Sequence, residues 1–334
     1  MVRDDVLAAL EQHRGQLVSG GTLARELGVS RTAVWKAIAS LRELGFPITS
    51  VTGEGYRLSE DSDKLSEAGI AAALQTDCIA RHLCVLDTID STNTYIKQHA
   101  SELPDGFAVV ADCQTAGRGR LGRSFESPSG TGVYISILLH PTLALEQVNM
   151  ITVSAAIAAC EAIKETAGFE PDIKWVNDVL MHGKKLCGIL TEASIEAETG
   201  RLSYAVVGIG INVRTPENGL PEDIRTIAGC LEDFAPHAVN RNALTASFFN
   251  HMEQCYTCIE HGDIAALIGQ YRSFIHFLGE PITVIQNGVR ESAVAVDLDS
   301  RGHLIIEKNG ERSTMYAGEI SIRIQGQLGQ EVFS

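Results

Sequence analysis

Apolar residues near the start of the chain recur with the spacing of a helix. In the segment 23–44, Val34 and Ile38 belong to an apolar stripe with a 3.6-residue period, which predicts a helix with one buried face. Ala24 and Gly28 precede this stripe at the spacing of a helix-turn-helix, in which a small residue lies where two helices touch and a glycine takes the turn. The pattern therefore predicts two short helices joined by a tight turn.

The segment after these helices alternates between apolar and polar residues. Residues 48–58 alternate around a glycine-rich turn, which predicts a two-stranded hairpin, and helices followed by such a hairpin are typical of a winged helix. The polar face of the second helix carries the candidate DNA-binding residues Arg31, Thr32, Trp35 and Lys36. The alternative is a packing module that never meets DNA, but an exposed indole beside two cations favours a surface with a partner.

The middle of the chain has a different pattern, in which apolar helical segments alternate with strands rich in β-branched residues. Strands over 132–139, 186–190 and 203–213 predict a large mixed sheet with helices. After residue 278 the strands become short, with turns at Asn287-Gly288 and Asn309-Gly310, and they predict a small SH3-like β-barrel.

The fold class predicted from these patterns is α+β and multidomain. A length of 334 residues suggests about two domains, at roughly 150 residues per domain, whereas the patterns above indicate three. The predicted domains are a winged helix-turn-helix at 1–62, a central domain at 65–277 and the small barrel at 278–334.

Charge is distributed unevenly between these parts. The net charge is −15, yet residues 1–60 hold seven basic and seven acidic residues, so the remainder carries the whole deficit. Such a chain does not attract nucleic acid by bulk charge, and DNA binding must come from a local surface. The polar N-terminus and the lack of a long apolar run predict a cytoplasmic protein without a membrane span.

A segment rich in glycine and arginine is the first candidate for chemistry. The string GRGRLGR at 117–123 follows a predicted strand, so glycines would let the backbone approach a ligand while guanidinium groups offer planar forks to phosphate or carboxylate oxygens. It matches neither a P-loop nor a dinucleotide fingerprint. Alone, the string is equally typical of a solvated basic loop or an RNA-binding patch.

Further along the chain lie charged side chains that could bind a phosphate and its metal ion. A lysine such as Lys174 can meet a phosphate as a point charge, and Asp178 beside Asn177 can hold Mg²⁺ together with water and nucleotide phosphates. Lys185 lies at a turn entering a strand, where its amine could point into a site. Each lysine alone is more typical of a solvated surface, but their concentration in an acidic domain favours a site.

Taken together and in this order, the motifs resemble those of biotin protein ligases. With the winged helix, the resemblance to the bifunctional form that is also a biotin operon repressor covers nearly the whole chain. The segments that carry it are Ser91-Thr92-Asn93, Gly117-Arg118-Gly119-Arg120, Gly122-Arg123, Lys174-Trp175, Asn177-Asp178, Lys185-Leu186, Gly188-Ile189-Leu190, Gly208 and Gly210-Ile211-Asn212.

The resemblance implies a fold, a reaction and a biotin site. The central domain would resemble a class II synthetase, joining biotin and ATP as biotinyl-5′-AMP before transfer to a lysine of a biotin carboxyl carrier protein. The catalytic residues would be Lys185, Arg120 and Lys174. The biotin-binding residues would be Ser91, Thr92, Asn93, Gln114, Gly117, Arg118, Arg120, Lys185 and Gly188.

The nucleotide site is implied in the same way. The ATP-binding residues would be Arg123, Phe125, Lys174, Asn177, Asp178, Asn212 and Arg323, with Mg²⁺ at Asp178. Two positions depart from the family pattern: Val176 stands where the family usually has proline, and Phe125 stands where a repressor-type enzyme has tryptophan. Both keep an apolar residue in place, so they bear on turn geometry and adenylate affinity rather than on the chemistry.

The implied partners are biotin, ATP, a carrier domain and operator DNA, bound by a ligand-dependent homodimer. One alternative is a ligand-sensing transcription factor with a vestigial ligase domain, which the intact cations disfavour. A second is a lipoate or octanoate ligase of the same fold, which the winged helix and the GRGRLGR loop disfavour.

Overall fold

The computed structural model describes residues 2–144, 147–196, 198, 201–286, 289–316, 319–323 and 331–332. The chain divides into two compact units. The first comprises residues up to 75 together with 240–246, and the second comprises 76–239 and the residues from 247 onward. None of the helices in the described part of the chain combines the length and apolarity that a bilayer crossing needs.

The first unit is a helix-turn-helix followed by a hairpin, as the sequence predicts. Its elements are α1 (Val2–Gln12), α2 (Gly20–Glu26), α3 (Arg31–Glu43), β1 (Ile48–Val51), β2 (Gly55–Leu58) and α4 (Glu67–Ala71). The Ser30 hydroxyl accepts from the Ala33 N–H at 3.1 Å and caps α3, and Gly28 takes a φ of +66° in the turn. Val34 and Ile38 are buried, each contributing about 1.5–3 kcal/mol by leaving water.

The second unit is built on a seven-stranded mixed sheet. Its strands are β3 (Leu83–Leu86), β4 (Ala108–Ala111), β5 (Gly132–Leu139), β6 (Asp172–Lys174), β7 (Asp178–Met181), β8 (Lys184–Ile195) and β9 (Leu202–Asn212). They run in the order β3-β4-β5-β9-β8-β7-β6, parallel between β3 and β4 and antiparallel elsewhere. The long strands β5, β9 and β8 therefore form the middle of the sheet.

Among the described residues, four α-helices accompany this sheet, and the start of the third belongs to the first unit. They are α5 (Thr92–His99), α6 (Asn149–Ala167), α7 (Arg241–His261) and α8 (Ile264–Ser273). Helix α6 is apolar around most of its circumference because it packs against both the sheet and α8. Helix α5 packs on β5 and β9, which sets its first residues beside the middle strands.

The C-terminal strands form a second, antiparallel sheet within the same unit. They are β10 (Pro281–Gln286), β11 (Val289–Leu298), β12 (Leu304–Lys308), β13 (Glu311–Met315), β14 (Glu319–Arg323) and β15 (Glu331–Val332), in the order β13-β12-β11-β10-β14-β15. Asn309 and Gly310 form the predicted turn with φ of +54° and +82°. The predicted turn at Asn287 and Gly288 lies outside the described residues.

Candidate functional site

The GRGRLGR loop after β4 folds back on itself as a tight hairpin. The Gly117 carbonyl accepts from the Phe125 N–H at 3.0 Å, and the Gly119 N–H donates to the Arg123 carbonyl at 2.8 Å. A Cβ at position 117 would lie 2.3 Å from the Phe125 carbonyl oxygen, so glycine is required there. At the tip, Leu121 is 77% exposed with φ of +55°, a costly conformation for leucine. The loop therefore presents its arginines from a constrained backbone.

A cavity of about 100 Å³, here named the inner cavity, lies between this loop, the start of α5 and strands β8 and β9. The structure brings most of the predicted biotin and phosphate residues to its lining. Those residues are Ser91, Thr92, Asn93, Gln114, Arg118, Arg120, Arg123, Phe125, Asn177, Asp178, Lys185 and Gly188.

One end of the inner cavity is a network of neutral hydrogen-bonding groups. The Thr92 N–H donates to Gln114 Oε1 at 2.9 Å, and Gln114 Nε2 donates to Ser127 Oγ at 3.0 Å. Ser136 Oγ lies 2.7 Å from Thr92 Oγ1. These groups are mutually oriented and suit a ligand with neutral donors and acceptors, such as a ureido ring.

Asn93 is held from both ends of its amide. Its Oδ1 accepts from Ser136 Oγ at 2.5 Å, and its Nδ2 donates to Glu192 Oε2 at 2.9 Å. Burial acts to raise the pKa of Glu192, but the hydrogen bonds from Lys97 and Asn93 outweigh it and lower that pKa. The ionised carboxylate therefore fixes which way the amide points.

The other end of the inner cavity is charged. Lys185 Nζ pairs with Asp178 Oδ1 at 2.7 Å, and Arg120 Nη1 donates to Asn177 Oδ1 at 2.6 Å. Asn177 Nδ2 in turn donates to the Ile189 carbonyl at 2.8 Å. Because Lys185 and Arg120 are each anchored by a neighbour, two cations are held at this end before any ligand binds.

A second cavity of about 330 Å³, here named the outer cavity, adjoins the first. Asn212 and Arg214 line it, together with apolar residues such as Ile224 and Ile227. Apolar walls with a few polar groups suit a flat heteroaromatic ligand. The residues that line both cavities are Arg123, Ser124, Phe125 and Lys185.

Three of the predicted biotin- and ATP-binding residues are not among the described residues that line the two cavities. Gly117 shapes the hairpin and is not among the described residues that line the inner cavity. Lys174 on β6 is only 2% exposed and is not among the described residues that line either cavity. Arg323 ends β14, and its side chain lies outside what the structure describes.

Sequence reasoning missed several residues that support the site. Ser136 is the one serine in the buried strand β5, whose other side chains are aliphatic or that of Tyr134, and Glu192 is a half-buried carboxylate on β8. A polar residue inside a buried strand was the available signal for Ser136, since such a group needs a partner. Arg214 had no signal in the sequence, because only the fold brings it to the outer cavity.

The four predicted DNA-binding residues form one exposed face in the first unit. Arg31, Thr32, Trp35 and Lys36 are all exposed, and Trp35 is 60% exposed. Arg42, on the same helix, donates to Ser50 Oγ at 2.6 Å and to the Ile48 carbonyl at 2.8 Å, which ties the hairpin to α3. The hairpin is therefore held against the helix that carries this face.

Family models match three consecutive segments of the chain. An HTH domain matches residues 2–57, the biotin/lipoate A/B protein ligase family matches 85–212, and the biotin protein ligase C-terminal domain matches 277–323. With the paired cavities, these matches define a biotin or lipoate protein ligase that carries a DNA-binding helix-turn-helix.

Comparison with individual proteins shows which kind of member of this class the chain resembles in sequence and domain composition. Bifunctional ligase/repressor BirA of Bacillus subtilis (strain 168) is 34% identical over 96% of this chain and 98% of its own length, and that of Escherichia coli (strain K12) is 30% identical over 92% and 94%. A biotin protein ligase from Aquifex aeolicus, solved with biotin and ATP, has a TM-score of 0.64 and 28% identity over 73% of this chain and 99% of that one. The chain therefore belongs to the family of bifunctional biotin ligase/repressors, with the activity of a biotin–[acetyl-CoA-carboxylase] ligase.

Proposed function

We propose that the inner cavity binds biotin and the outer cavity binds the nucleotide of ATP, so that the two substrates meet at Lys185. The observation that carries this proposal is that the two cavities share Arg123, Ser124, Phe125 and Lys185. The related Aquifex aeolicus ligase, which was solved with biotin and ATP, supports it.

The proposed reaction has two steps. A biotin carboxylate oxygen attacks the α-phosphorus of ATP, the bond to pyrophosphate breaks, and biotinyl-5′-AMP forms. A lysine amine of a biotin carboxyl carrier protein then attacks the acyl carbon and loses a proton, and AMP leaves with the bonding electron pair. Both steps place negative charge on oxygen atoms, so positioned cations rather than a protein nucleophile are the catalytic groups.

Lys185 and Arg120 are the cations that we place at the reacting atoms. Their pairing with Asp178 and Asn177 holds them in position, so little reorganisation is needed when charge develops. Lys174 is the third proposed catalytic cation. Because it is buried on β6, its contact with the triphosphate requires a rearrangement that the other two do not.

The neutral end of the inner cavity is the proposed site of the biotin rings. Thr92 and Gln114 line it directly, and Ser91 caps α5 beside them. Asn93 Nδ2 donates to Glu192 and to the Leu190 carbonyl, and its Oδ1 accepts from Ser136, so the remaining lone pair of Oδ1 is what it can offer biotin. Arg118 and Gly188 complete the proposed contacts with biotin. Gly117 is proposed to contribute indirectly, by shaping the hairpin of the GRGRLGR loop.

The nucleotide and its metal are proposed to occupy the opposite end. Phe125, Arg123, Asn212 and Arg323 are proposed to bind the adenylate. The described residues contain no cluster of three or more metal-ligating side chains, so Mg²⁺ would be held by phosphates, water and the buried carboxylate of Asp178 beside Asn177. When bound, the ion would neutralise the departing pyrophosphate.

Removal of the Arg120 side chain should release the intermediate. In Arg120→Gly, biotinyl-5′-AMP should still form but escape the loop, and biotinylation of a bystander protein should rise at least about tenfold because the mixed anhydride is no longer retained. An avidin blot of the bystander measures this. Arg225→Gly, which removes an exposed arginine that is not among the described residues lining either cavity, serves as the control, and strict carrier labelling by Arg120→Gly would contradict the retaining role.

Gly208 provides a test of the biotin end. A Cβ at this position would lie 2.2 Å from Asn93 Oδ1, so Gly208→Ala should displace the amide and weaken biotin binding at least about tenfold. Calorimetry of biotin binding measures the loss. Gly269→Ala on α8, where a Cβ meets no atom within 4 Å, is the matched control, and equal affinity of the two variants would refute the placement of biotin.

The first unit is proposed to bind operator DNA of biotin-synthesis genes through Arg31, Thr32, Trp35 and Lys36. One winged helix with balanced charge in an acidic chain should bind weakly. We therefore propose a homodimer that places two winged helices on two half-sites, formed when biotinyl-5′-AMP occupies the second unit.

The proposed two-step route through biotinyl-5′-AMP is tested by isotope exchange between pyrophosphate and ATP. Exchange should require biotin and should not be supported by lipoate or octanoate. Exchange with lipoate alone would favour the lipoate ligase alternative, and no exchange with any of these acids would favour a transcription factor with a vestigial ligase domain.

A further inference from the structure

Trp175 is a buried residue that has no role in the proposed function. It is 3% exposed and lies between β6 and β7, directly before the segment that carries Asn177 and Asp178. Its Nε1–H donates to the carbonyl oxygen of Gly302 at 2.9 Å. The indole N–H is only a donor, so this hydrogen bond satisfies the one polar group of the side chain.

Gly302 belongs to the turn between β11 and β12, which is itself tightly built. Asp299 Oδ1 accepts from the N–H groups of Arg301 and His303 at 2.8 and 2.9 Å, and Oδ2 lies 2.9 Å from His303 Nδ1. Burial acts to raise the pKa of Asp299, but the hydrogen bonds from His303 and Arg301 outweigh it and lower that pKa. The turn is therefore rigid around an ionised carboxylate.

This turn packs against two helices of the same unit. A Cβ on Gly302, whose φ is +73°, would lie 3.1 Å from Val153 of α6 and 3.3 Å from Ile268 of α8. Asn149 Nδ2 donates to the Arg301 carbonyl at 3.2 Å. The Gly302 carbonyl is consequently held in one place relative to the central sheet.

The connection between β6 and β7 is thus held from two sides. From the C-terminal sheet and α8, Trp175 bonds to Gly302 and the Val176 carbonyl accepts from the Tyr271 hydroxyl at 2.9 Å. From the inner cavity, Asn177 bonds to Arg120 and Asp178 pairs with Lys185.

We propose that the β11–β12 turn is a positioning element for adenylate formation, in which the Gly302 carbonyl, through the indole of Trp175, sets the position of Asn177 and Asp178. The proposal rests on the proposed function, which places these two residues at the triphosphate. Displacement of a catalytic group by about 1 Å can cost about a hundredfold in rate. A hydrogen bond outside the cavity can therefore control the rate of the first step.

The sharpest test replaces Trp175 in the full chain with β-(3-benzothienyl)alanine, in which sulfur takes the place of the N–H and the ring shape is kept. In biotin-dependent pyrophosphate exchange, kcat should fall at least about tenfold, while KM for biotin stays near its wild-type value and the melting temperature falls by only a few degrees, because one buried carbonyl loses its partner. An unchanged kcat would overturn the proposal. A fall in kcat accompanied by an equal loss of biotin binding and of thermal stability would show a merely structural role and would also overturn it.

A second variant changes the other partner of this hydrogen bond, the glycine in the β11–β12 turn. Gly302→Ala should lift the turn from α6 and α8 and give the same selective fall in kcat. Gly310→Ala is the matched control, because Gly310 also has a positive φ in a turn of the same sheet but a Cβ there meets no atom within 4 Å. In a Trp35→Phe background, which leaves Trp175 as the sole tryptophan, Gly302→Ala should shift the emission and Gly310→Ala should not. Identical spectra and rates for the two alanine variants would refute the positioning role.

Different results would refute the proposed function and the positioning role of the turn. If the wild-type chain shows no biotin-dependent exchange, the proposed function is wrong. If the wild type exchanges and the benzothienyl protein matches it, only the positioning role is wrong.

Discussion

Replacing Lys185 with alanine is expected to reduce biotin-dependent pyrophosphate exchange by about a thousandfold or more, with the fold intact. Lys185 lines both cavities and its Nζ lies 2.7 Å from Asp178 Oδ1, and we propose that its ammonium group stabilises the pentacoordinate phosphorus. A preorganised charge of this kind contributes more in the transition state than in the ground state. The measurement is the exchange rate at saturating biotin and ATP, with circular dichroism to confirm folding.

The neighbouring lysine is the matched control. Lys184 Nζ donates to the carbonyls of Arg225 and Thr226 at 3.1 and 2.7 Å, and the residue is not among the described residues that line either cavity. Lys184→Ala should therefore keep most of the exchange activity. Wild-type exchange in Lys185→Ala, or an equal loss in both variants, would contradict the assignment of Lys185.

The double substitution Thr32→Ala with Trp35→Ala is expected to weaken operator binding about a hundredfold or more while leaving pyrophosphate exchange unchanged. Both side chains are exposed on α3, and each good contact of such a helix with bases contributes about 1–3 kcal/mol. Fluorescence anisotropy of a labelled operator measures the loss. Leu44→Ala removes an exposed residue at the end of the same helix, and a loss as large in this control would argue against a specific DNA face.

The parts of the fold with a strong local signal could be predicted from the sequence. The stripe that includes Val34 and Ile38, the serine cap at Ser30 and the glycine at Gly28 all act over a few residues, and each is present in the first unit. The turn at Asn309-Gly310 is of the same kind. Local periodicity and capping leave a direct trace in the amino-acid order.

For the site, the sequence motifs predict which residues take part but not how those residues are arranged. Residue types and spacing indicate Arg120, Lys185 and Asp178, but not that Lys185 would lie at the junction of two cavities. Nothing in the order of residues links Trp175 to Gly302, 127 positions further on, since that contact is created by the packing of the C-terminal turn on α6 and α8. Partners set by tertiary packing have no local signal.

The burial of Lys174 illustrates the same limit. Its charge and its place beside Asn177 and Asp178 indicate a phosphate ligand, but the sequence does not show that the side chain lies inside the fold at 2% exposure. Sequence identifies the chemistry of a group, whereas the direction of its side chain depends on register and on neighbouring elements.

The central claim is that one chain makes biotinyl-5′-AMP and uses it as the signal for repression. The most direct test is anisotropy of the labelled operator of the organism's own biotin-synthesis genes, titrated with the full chain in the absence of ligand, with biotin alone, with ATP alone and with both. We expect clearly tighter binding only when both are present, because only then does the adenylate form. Equal affinity under all four conditions, or no binding under any of them, would contradict it.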